Sequence, residues 1–356
     1  MTTGDALPYE EIALWLDFGR TRWRCLSVES SGSGENGEER KREREDVLVK
    51  KLRAFVSNNA VPETSANYKS EAVDDLFPLL ELVGSVVDNH KLILSALTTL
   101  KILSRKQQNR KTIGPKGFEC LTRAIDFVKG VPTLAAECAN VILNFCYEKA
   151  NVEHFLGCNG VPVLAEYLGS ENIQVQANTA GALQSISFHE EGRKQLRATR
   201  SILPRVIAFL RSSDPKVKAR AVGALHNLSS DPETIHVIRK ERGIEVLVGL
   251  LKDKKTAIAA SAAGALQNVS REVASRNLIR ESDAVKFLAD LLCSDHLQCQ
   301  VCAAGALMNV LGPEISQHPH SKQRKAFSKL ISQCLTLGIL YSTIFDTSCT
   351  CGPEVV

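Results

Sequence analysis

Apolar side chains fall into stripes of helical period along much of this chain. In the stretch Ile202 to Leu210, the residues Ile202, Leu203, Val206, Ile207 and Leu210 share one face. A longer stretch opens at Asp214-Pro215, where Asp suits an N-cap and Pro the first helical position. Along it Val217, Ala221, Ala224, Leu225 and Leu228 recur at i, i+4, i+7, i+8 and i+11. A short polar helix, Glu191 to Thr199, precedes the pair. The same plan follows at once: Pro232 to Glu241, then an apolar run from Val246 to Leu251, then Ile258 to Val269. Gly117, Gly160 and Gly243 hold matching places after the first helix of each set. They are expected to end that helix in the left-handed conformation, which glycine adopts at little cost.

The long third helices carry a motif. Gly181-Ala182-Leu183-Gln184-Ser185-Ile186-Ser187 returns as Gly223-Ala224-Leu225-His226-Asn227-Leu228-Ser229. It returns again as Gly264-Ala265-Leu266-Gln267-Asn268-Val269-Ser270 and as Gly305-Ala306-Leu307-Met308-Asn309-Val310-Leu311. The glycines stand 42, 41 and 41 residues apart. Asn140 to Phe145 fits the same frame, and Ser95 to Leu100 reads as a weaker copy with Thr99 in the asparagine position. A fixed period of this size marks a helical solenoid, each unit burying its apolar face against its neighbours. Small residues at equivalent places (Ala180, Val222, Ala263, Ala304; Ala182, Ala224, Ala265, Ala306) let third helices approach closely.

The motif, the period and the three-helix unit together resemble the armadillo repeat family over about 72–311. The related two-helix HEAT array fits less well, because each unit here has a short first helix and its motif an Asn. The resemblance implies an all-α, right-handed alpha-alpha superhelix, an armadillo solenoid of about six repeats. It also implies a concave groove lined by third helices, in which the motif Asn reaches the backbone of an extended peptide. Carried over position by position, the groove residues are Asn144, Asn227, Asn268 and Asn309, with Ser185 replacing Asn in the third unit, and Arg220 and His226 beside them. A carboxamide both donates and accepts, so it pairs with a main chain of any sequence. The other reading is that these Asn brace a helix end.

Armadillo import receptors carry Trp four residues before that Asn, to sandwich lysines. Here the position is Gly181, Gly223, Gly264 or Gly305, and both Trp, Trp15 and Trp23, lie outside the repeats. The resemblance is therefore to the beta-catenin class and the vacuolar and ciliary armadillo scaffolds. A nuclear transport adaptor of importin-alpha type is the alternative.

Outside the repeats, 1–30 is a segment of undecided role. Residues 31–71 read as a flexible linker, Ser31 to Gly37, followed by a solvated charged helix, Glu38 to Arg53, with Val47, Leu48 and Leu52 as its contacts and an N-terminal cap as its alternative role. Residues 312–356 read as a degenerate cap or a shortened repeat, a place for self-association. Within it Leu330 to Phe345 is the most apolar run. Polar residues interrupt it, and it is short for a membrane span, so it is expected to be a buried helix.

Composition narrows the function. Aromatic residues make up only 5%, so the core is expected to be Leu, Val, Ile and Ala. The net charge of +4 is too small to argue for nucleic acid or a membrane. Eleven Cys, an odd number, and no secretory signal point to reduced thiols. Cys299-x-x-Cys302 supplies at most half a metal site. In the repeat frame Cys299 is a core position and Cys302 is expected to face outward or toward the groove. Cys138 and Cys146 are expected to be packing thiols. No phosphate loop, paired-His signature or nucleophile elbow occurs, so no enzyme, cofactor or metal is expected. Basic clusters recur: Arg105, Lys106, Arg110 and Lys111; Arg193, Lys194 and Arg197; Lys216, Lys218 and Arg220; Arg239, Lys240 and Arg242; Lys252, Lys254 and Lys255. They suggest an acidic extended ligand, against the plainer reading of a solvated outer face. The expectation is a non-catalytic protein-binding scaffold, cytoplasmic, with nuclear or cytoskeletal and ciliary settings also open.

Overall fold

A computed structural model describes residues 35–59, 76–85 and 88–310. The expectations for 1–30, for the linker up to residue 34, for Leu330 to Phe345 and for the rest of 312–356 fall outside the described residues. Every regular element among the described residues is helical. The fold class is all-α, as the periodicity requires.

The chain divides into two compact units between Ala182 and Leu183. The first begins with α1 (Glu35–Asn59). This helix starts inside the glycine-rich stretch read as a linker, and it is not solvated all round. Leu48, Val49, Leu52 and Phe55 are buried on one face, whereas Val47 is exposed. That face packs on α3 (His90–Leu103), which follows α2 (Phe77–Ser85). Glu45 is buried with them and accepts a hydrogen bond of 2.7 Å from Asn89 Nδ2. Asn89 in turn caps α3 through Oδ1, which accepts the Leu92 N–H at 3.0 Å. Full burial of Leu52 and Phe55 stabilises this contact by about 1.5–3 kcal/mol each. Two further triplets follow: α4 (Gln107–Arg110), α5 (Gly114–Val128) and α6 (Pro132–Phe145), then α7 (Lys149–Gly157), α8 (Gly160–Ala165) with a 3-10 turn (Glu166–Gly169), and α9 (Ile173–Ser187). Tyr167 is buried in this core. Its hydroxyl donates to Ile125 O at 2.8 Å, which satisfies the buried group.

The second unit takes the last turn of α9 and three triplets. These are α10 (Glu190–Ala198), α11 (Ile202–Phe209) and α12 (Pro215–Leu228); α13 (Pro232–Lys240), α14 (Gly243–Leu250) and α15 (Thr256–Val269); and α16 (Val273–Glu281), α17 (Ala284–Leu292) and α18 (Leu297–Val310). Asp214 caps α12 as its sequence predicts. Its Oδ1 accepts the N–H groups of Lys216 at 2.8 Å and Val217 at 2.9 Å, with Pro215 in the first turn. Third helices α12, α15 and α18 stack in that order. Their shared seam is alanine and glycine: Ala221, Ala224, Ala262, Ala263, Ala265 and Ala306 are all fully buried.

The junction glycines do something other than expected. Gly160 and Gly243 begin the second helix, and the left-handed residue is the one before each, Asn159 or Arg242, both at φ 56°. A Cβ at Gly160 would lie 2.1 Å from the Phe155 ring, and at Gly243 2.9 Å from Ile238 Cγ2. At Gly117 it would meet Ile113 Cγ1 at 2.6 Å. These glycines are places of close helix approach.

Candidate functional site

The recurring motif builds a ladder along the third helices. In the second unit Asn227 Nδ2 donates to Ser187 Oγ at 3.2 Å, and Ser187 Oγ donates to Gln184 O at 2.7 Å. One repeat on, Asn268 Nδ2 donates to Ser229 Oγ at 3.1 Å and to His226 O at 3.2 Å, while Ser229 Oγ donates to His226 O at 2.7 Å. Asn309 Nδ2 donates to Gln267 O at 3.0 Å, which Ser270 Oγ also reaches at 2.7 Å. The first unit holds the same relay. Asn144 Nδ2 donates to Ser104 Oγ at 3.0 Å, and Ser104 Oγ to Lys101 O at 2.8 Å. Each asparagine thus satisfies the carboxyl end of the third helix before its own, where carbonyls lack intrahelical partners.

This relay fixes the register of the first copy. Ser104 stands where Ser187 and Ser229 stand, which places Ile102, not Thr99, in the asparagine position. Thr99 is fully buried, and its hydroxyl donates to Ser95 O at 2.8 Å. The weaker copy was offset by three residues, nearly one helical turn, a shift that keeps the same face inward. Sequence reasoning passed over the serines. Their signal was the last motif position, where Ser187, Ser229 and Ser270 recur.

The residue before Ser185, Asn227 and Asn268 forms the second half of the ladder. A Cβ at Gly223 would lie 2.4 Å from Gln184 Nε2, at Gly264 2.4 Å from His226 Cε1, and at Gly305 2.3 Å from Gln267 Nε2. Each glycine is the seat for a polar side chain of the preceding repeat. The place an import receptor gives to Trp is thereby filled.

The seven residues singled out from sequence are placed as follows. Asn144, Asn227 and Asn268 are buried, and Asn309 is half-buried. Asn268 has both ends committed, since its Oδ1 also accepts from Arg271 Nη2 at 2.8 Å. Ser185 and His226 are buried at 1% exposure each, and the Ser185 hydroxyl meets no hydrogen-bond partner among the described residues. Arg220 is half-buried, with Nη1 3.5 Å from Gln184 Oε1. Met308, equivalent to His226, is 40% exposed.

Most of the basic clusters are held elsewhere. Arg110 bridges Ser104 O and Arg105 O at 3.2 and 3.0 Å and pairs with Glu148 at 2.9 Å. Arg193 reaches Ser187 O at 3.2 Å, and Arg197 pairs with Asp231 at 3.0 Å. Arg239 forms a two-pronged pair with Glu272 at 2.9 and 3.0 Å. That pair holds the Glu272 carboxyl below its ordinary range.

Cys302 corrects another expectation. It is fully buried, as is Cys299, because this position of the third helix turns into the seam, where Asn178 and Ser261 are also buried. Cys138 and Cys146 are buried too, and desolvation pushes the Cys138 thiol up to about 12 and Cys146 upward as well. Among the described residues no group of three His, Cys, Asp or Glu is placed to hold a metal ion. Also among them, no helix is long and apolar enough to cross a membrane.

The profile of the armadillo/beta-catenin-like repeat matches residues 231–271, one full period of the ladder. Residues 231–271 are an armadillo repeat, and the chain has the armadillo fold. Over 117 residues this armadillo chain is 27% identical to the armadillo repeat-containing protein gudu of Drosophila melanogaster, covering 33% of the chain and 17% of that protein. Over 119 residues it is 32% identical to the outer dynein arm-docking complex subunit 2 of Bos taurus, covering 33% of the chain and 11% of that protein. The matches thus span under a fifth of either relative. Among solved structures, a designed armadillo repeat protein superposes with a TM-score of 0.60 at 18% identity, over 65% of this chain and 98% of that one. Another, in complex with the peptide (KR)4, gives 0.58 at 18% identity, over 65% and 98%.

Proposed function

We propose that this armadillo chain is a non-catalytic protein-binding scaffold that captures an extended partner segment along its third helices. The observation that carries this reading is the register that the relay sets between the last turn of α9, α12 and α15. The asparagine–serine relay holds equivalent residues in step, so the polar groups at Gln184, His226 and Gln267 recur at one helix spacing. Helices about 8–10 Å apart match roughly three residues of extended chain at about 3.3 Å each. Arg220, Gln267 and Arg271 supply donors and acceptors that do not depend on partner side chains. In this reading Asn144, Ser185, Asn227, Asn268 and Asn309 set the register, and a bound main chain engages the asparagines only by sharing their existing bonds.

A designed protein of the same fold is in complex with a peptide, which supports a peptide-binding role for this fold. The likeness to a dynein-arm docking subunit supports a cytoskeletal or ciliary setting. The transport-adaptor alternative is disfavoured, since the glycine seats are filled and leave no shelf for lysine stems.

The test is selection of peptides from a random display library against the full chain. Selected peptides are expected to bind Gln267→Trp and Arg220→Glu at least about tenfold more weakly, about 1.4 kcal/mol, with unchanged melting. Unchanged affinity in both variants overturns the groove reading.

A further inference from the structure

We infer that the turns before α12 and α15 form a second docking surface, for an acidic protein segment, separate from the third-helix ladder. A shallow depression of about 520 Å³ lies between them, lined by Pro215, Lys218, Lys252, Asp253, Lys254 and Lys255 among others. Lys216, Lys252, Lys254 and Lys255 are exposed around it.

The acids nearby are already committed. Asp214 caps α12 through its carboxylate. Asp253 Oδ1 accepts the Lys255 N–H at 2.9 Å, and its Oδ2 lies 3.5 Å from Lys218 Nζ. Lys252 Nζ rests 4.5 Å from the centroid of the Phe287 ring. Lys216, Lys254 and Lys255 meet no carboxylate among the described residues. Elsewhere in this unit Arg193, Arg197, Arg239 and Arg242 each meet one. The depression therefore concentrates uncompensated positive charge on a rigid edge.

The chemistry of the surface selects its partner. Lysines are point charges on flexible stems and suit a run of spaced carboxylates, whereas a single phosphate group favours the arginine fork. Phe287 is already covered by Lys252, so the site has no free ring on which a base would stack. Leu250 and Leu251 are buried and Pro215 is the apolar side chain exposed in the lining, too little apolar surface to enter a lipid layer.

Fluorescence anisotropy of a labelled decaglutamate peptide on the full chain tests this. Binding is expected at low salt, falling about tenfold or more in Lys252→Glu/Lys254→Glu/Lys255→Glu and at about 0.3 M salt. The control Arg200→Glu/Arg205→Glu/Lys240→Glu makes the same change in net charge at exposed positions elsewhere and is expected to bind as the parent does. Thermal melting checks that both variants fold. Equal losses in the two variants, or no binding by the parent, overturn the inference. So does stronger capture of anionic vesicles or a single-stranded oligonucleotide than of the peptide. Gln267→Trp is expected to leave decaglutamate binding unchanged. Loss of binding there would move the acidic segment to the ladder and end this site while strengthening the groove reading.

Discussion

The imidazole of His226 occupies the space that a side chain at position 264 would need. A Cβ on Gly264 would lie 2.4 Å from both Cε1 and Nε2 of a ring that is 1% exposed. Gly223 and Gly305 face the amide ends of Gln184 and Gln267 at similar distances, but an amide on two methylenes swings aside where a buried ring does not. Glycine in a helix interior costs about 1 kcal/mol against alanine. Overpacking costs about 1–3 kcal/mol. Gly264→Ala is therefore expected to destabilise by about 1–2 kcal/mol net, and Gly223→Ala and Gly305→Ala to be near neutral. Urea denaturation of the three variants checks the order. A cycle with His226→Ala should show Gly264→Ala becoming favourable once the ring is gone.

Asparagine-to-alanine changes separate bracing from binding. Removing the Asn268 carboxamide takes a donor from the carboxyl end of α12 and frees Arg271. A loss of about 1–2 kcal/mol is expected for Asn268→Ala and for Asn227→Ala. Ser229→Ala should be smaller alone and less than additive with Asn268→Ala, because the two groups form one relay. Stability unchanged within error in Asn227→Ala would show that the relay contributes nothing and leave the carboxamides available to a partner.

The same residues show how far the sequence could be read. The period, the helix triplets and the Asp214 cap were legible because each depends on spacing or on a local hydrogen bond. The partners of Asn227 and Asn268 were not, because they lie 40 and 39 residues earlier on another helix. A motif reports which positions recur but not which neighbour they serve. Glycine was ambiguous for a related reason. Among the described residues Gly114 has a positive φ, 59°, whereas Gly160 and Gly243 stand where a Cβ has no room, and a sequence does not distinguish the two. Charge was least legible. Arg110, Arg193 and Arg239 resemble ligand-binding residues in a sequence and are internal struts in the fold.

The junctions between first and second helices give a paired prediction. At Gly160 a Cβ would fall within 2.5 Å of three atoms of the Phe155 ring, which is fully buried. Gly160→Ala is expected to cost about 2–3 kcal/mol, whereas Gly130→Ala, with nothing within 4 Å, should be harmless. One residue before the equivalent glycine, Arg242 holds a left-handed backbone, a conformation that costs an L side chain roughly 1–2 kcal/mol. Arg242→Gly relieves that strain and loses only an exposed pair with Glu245. A gain of about 0.5–1 kcal/mol is expected after the extra freedom of glycine in the unfolded chain is subtracted. A lower melting temperature in Arg242→Gly would show that the strain is absent.

The Arg239–Glu272 pair predicts the direction of an acid effect. The guanidinium hydrogen bonds hold the Glu272 carboxyl below its ordinary value of 4.5, assisted by the Ser275 hydroxyl and opposed by partial burial. A carboxyl whose pKa is lower in the folded state binds fewer protons there than in the unfolded chain. Its contribution is complete above about 4.5 and is lost as pH falls through the folded value. Glu272→Gln keeps the shape of the side chain and removes its charge. Its melting temperature is expected to lie below the parent's at pH 7, with the gap closing as pH drops below about 4.5. Both side chains are 30% exposed, so added salt should narrow the gap at pH 7 as well. A gap that persists unchanged to pH 3 would mean that the carboxamide lacks something other than charge, such as the Ser275 contact. Ser275→Ala in both backgrounds would then identify that contact.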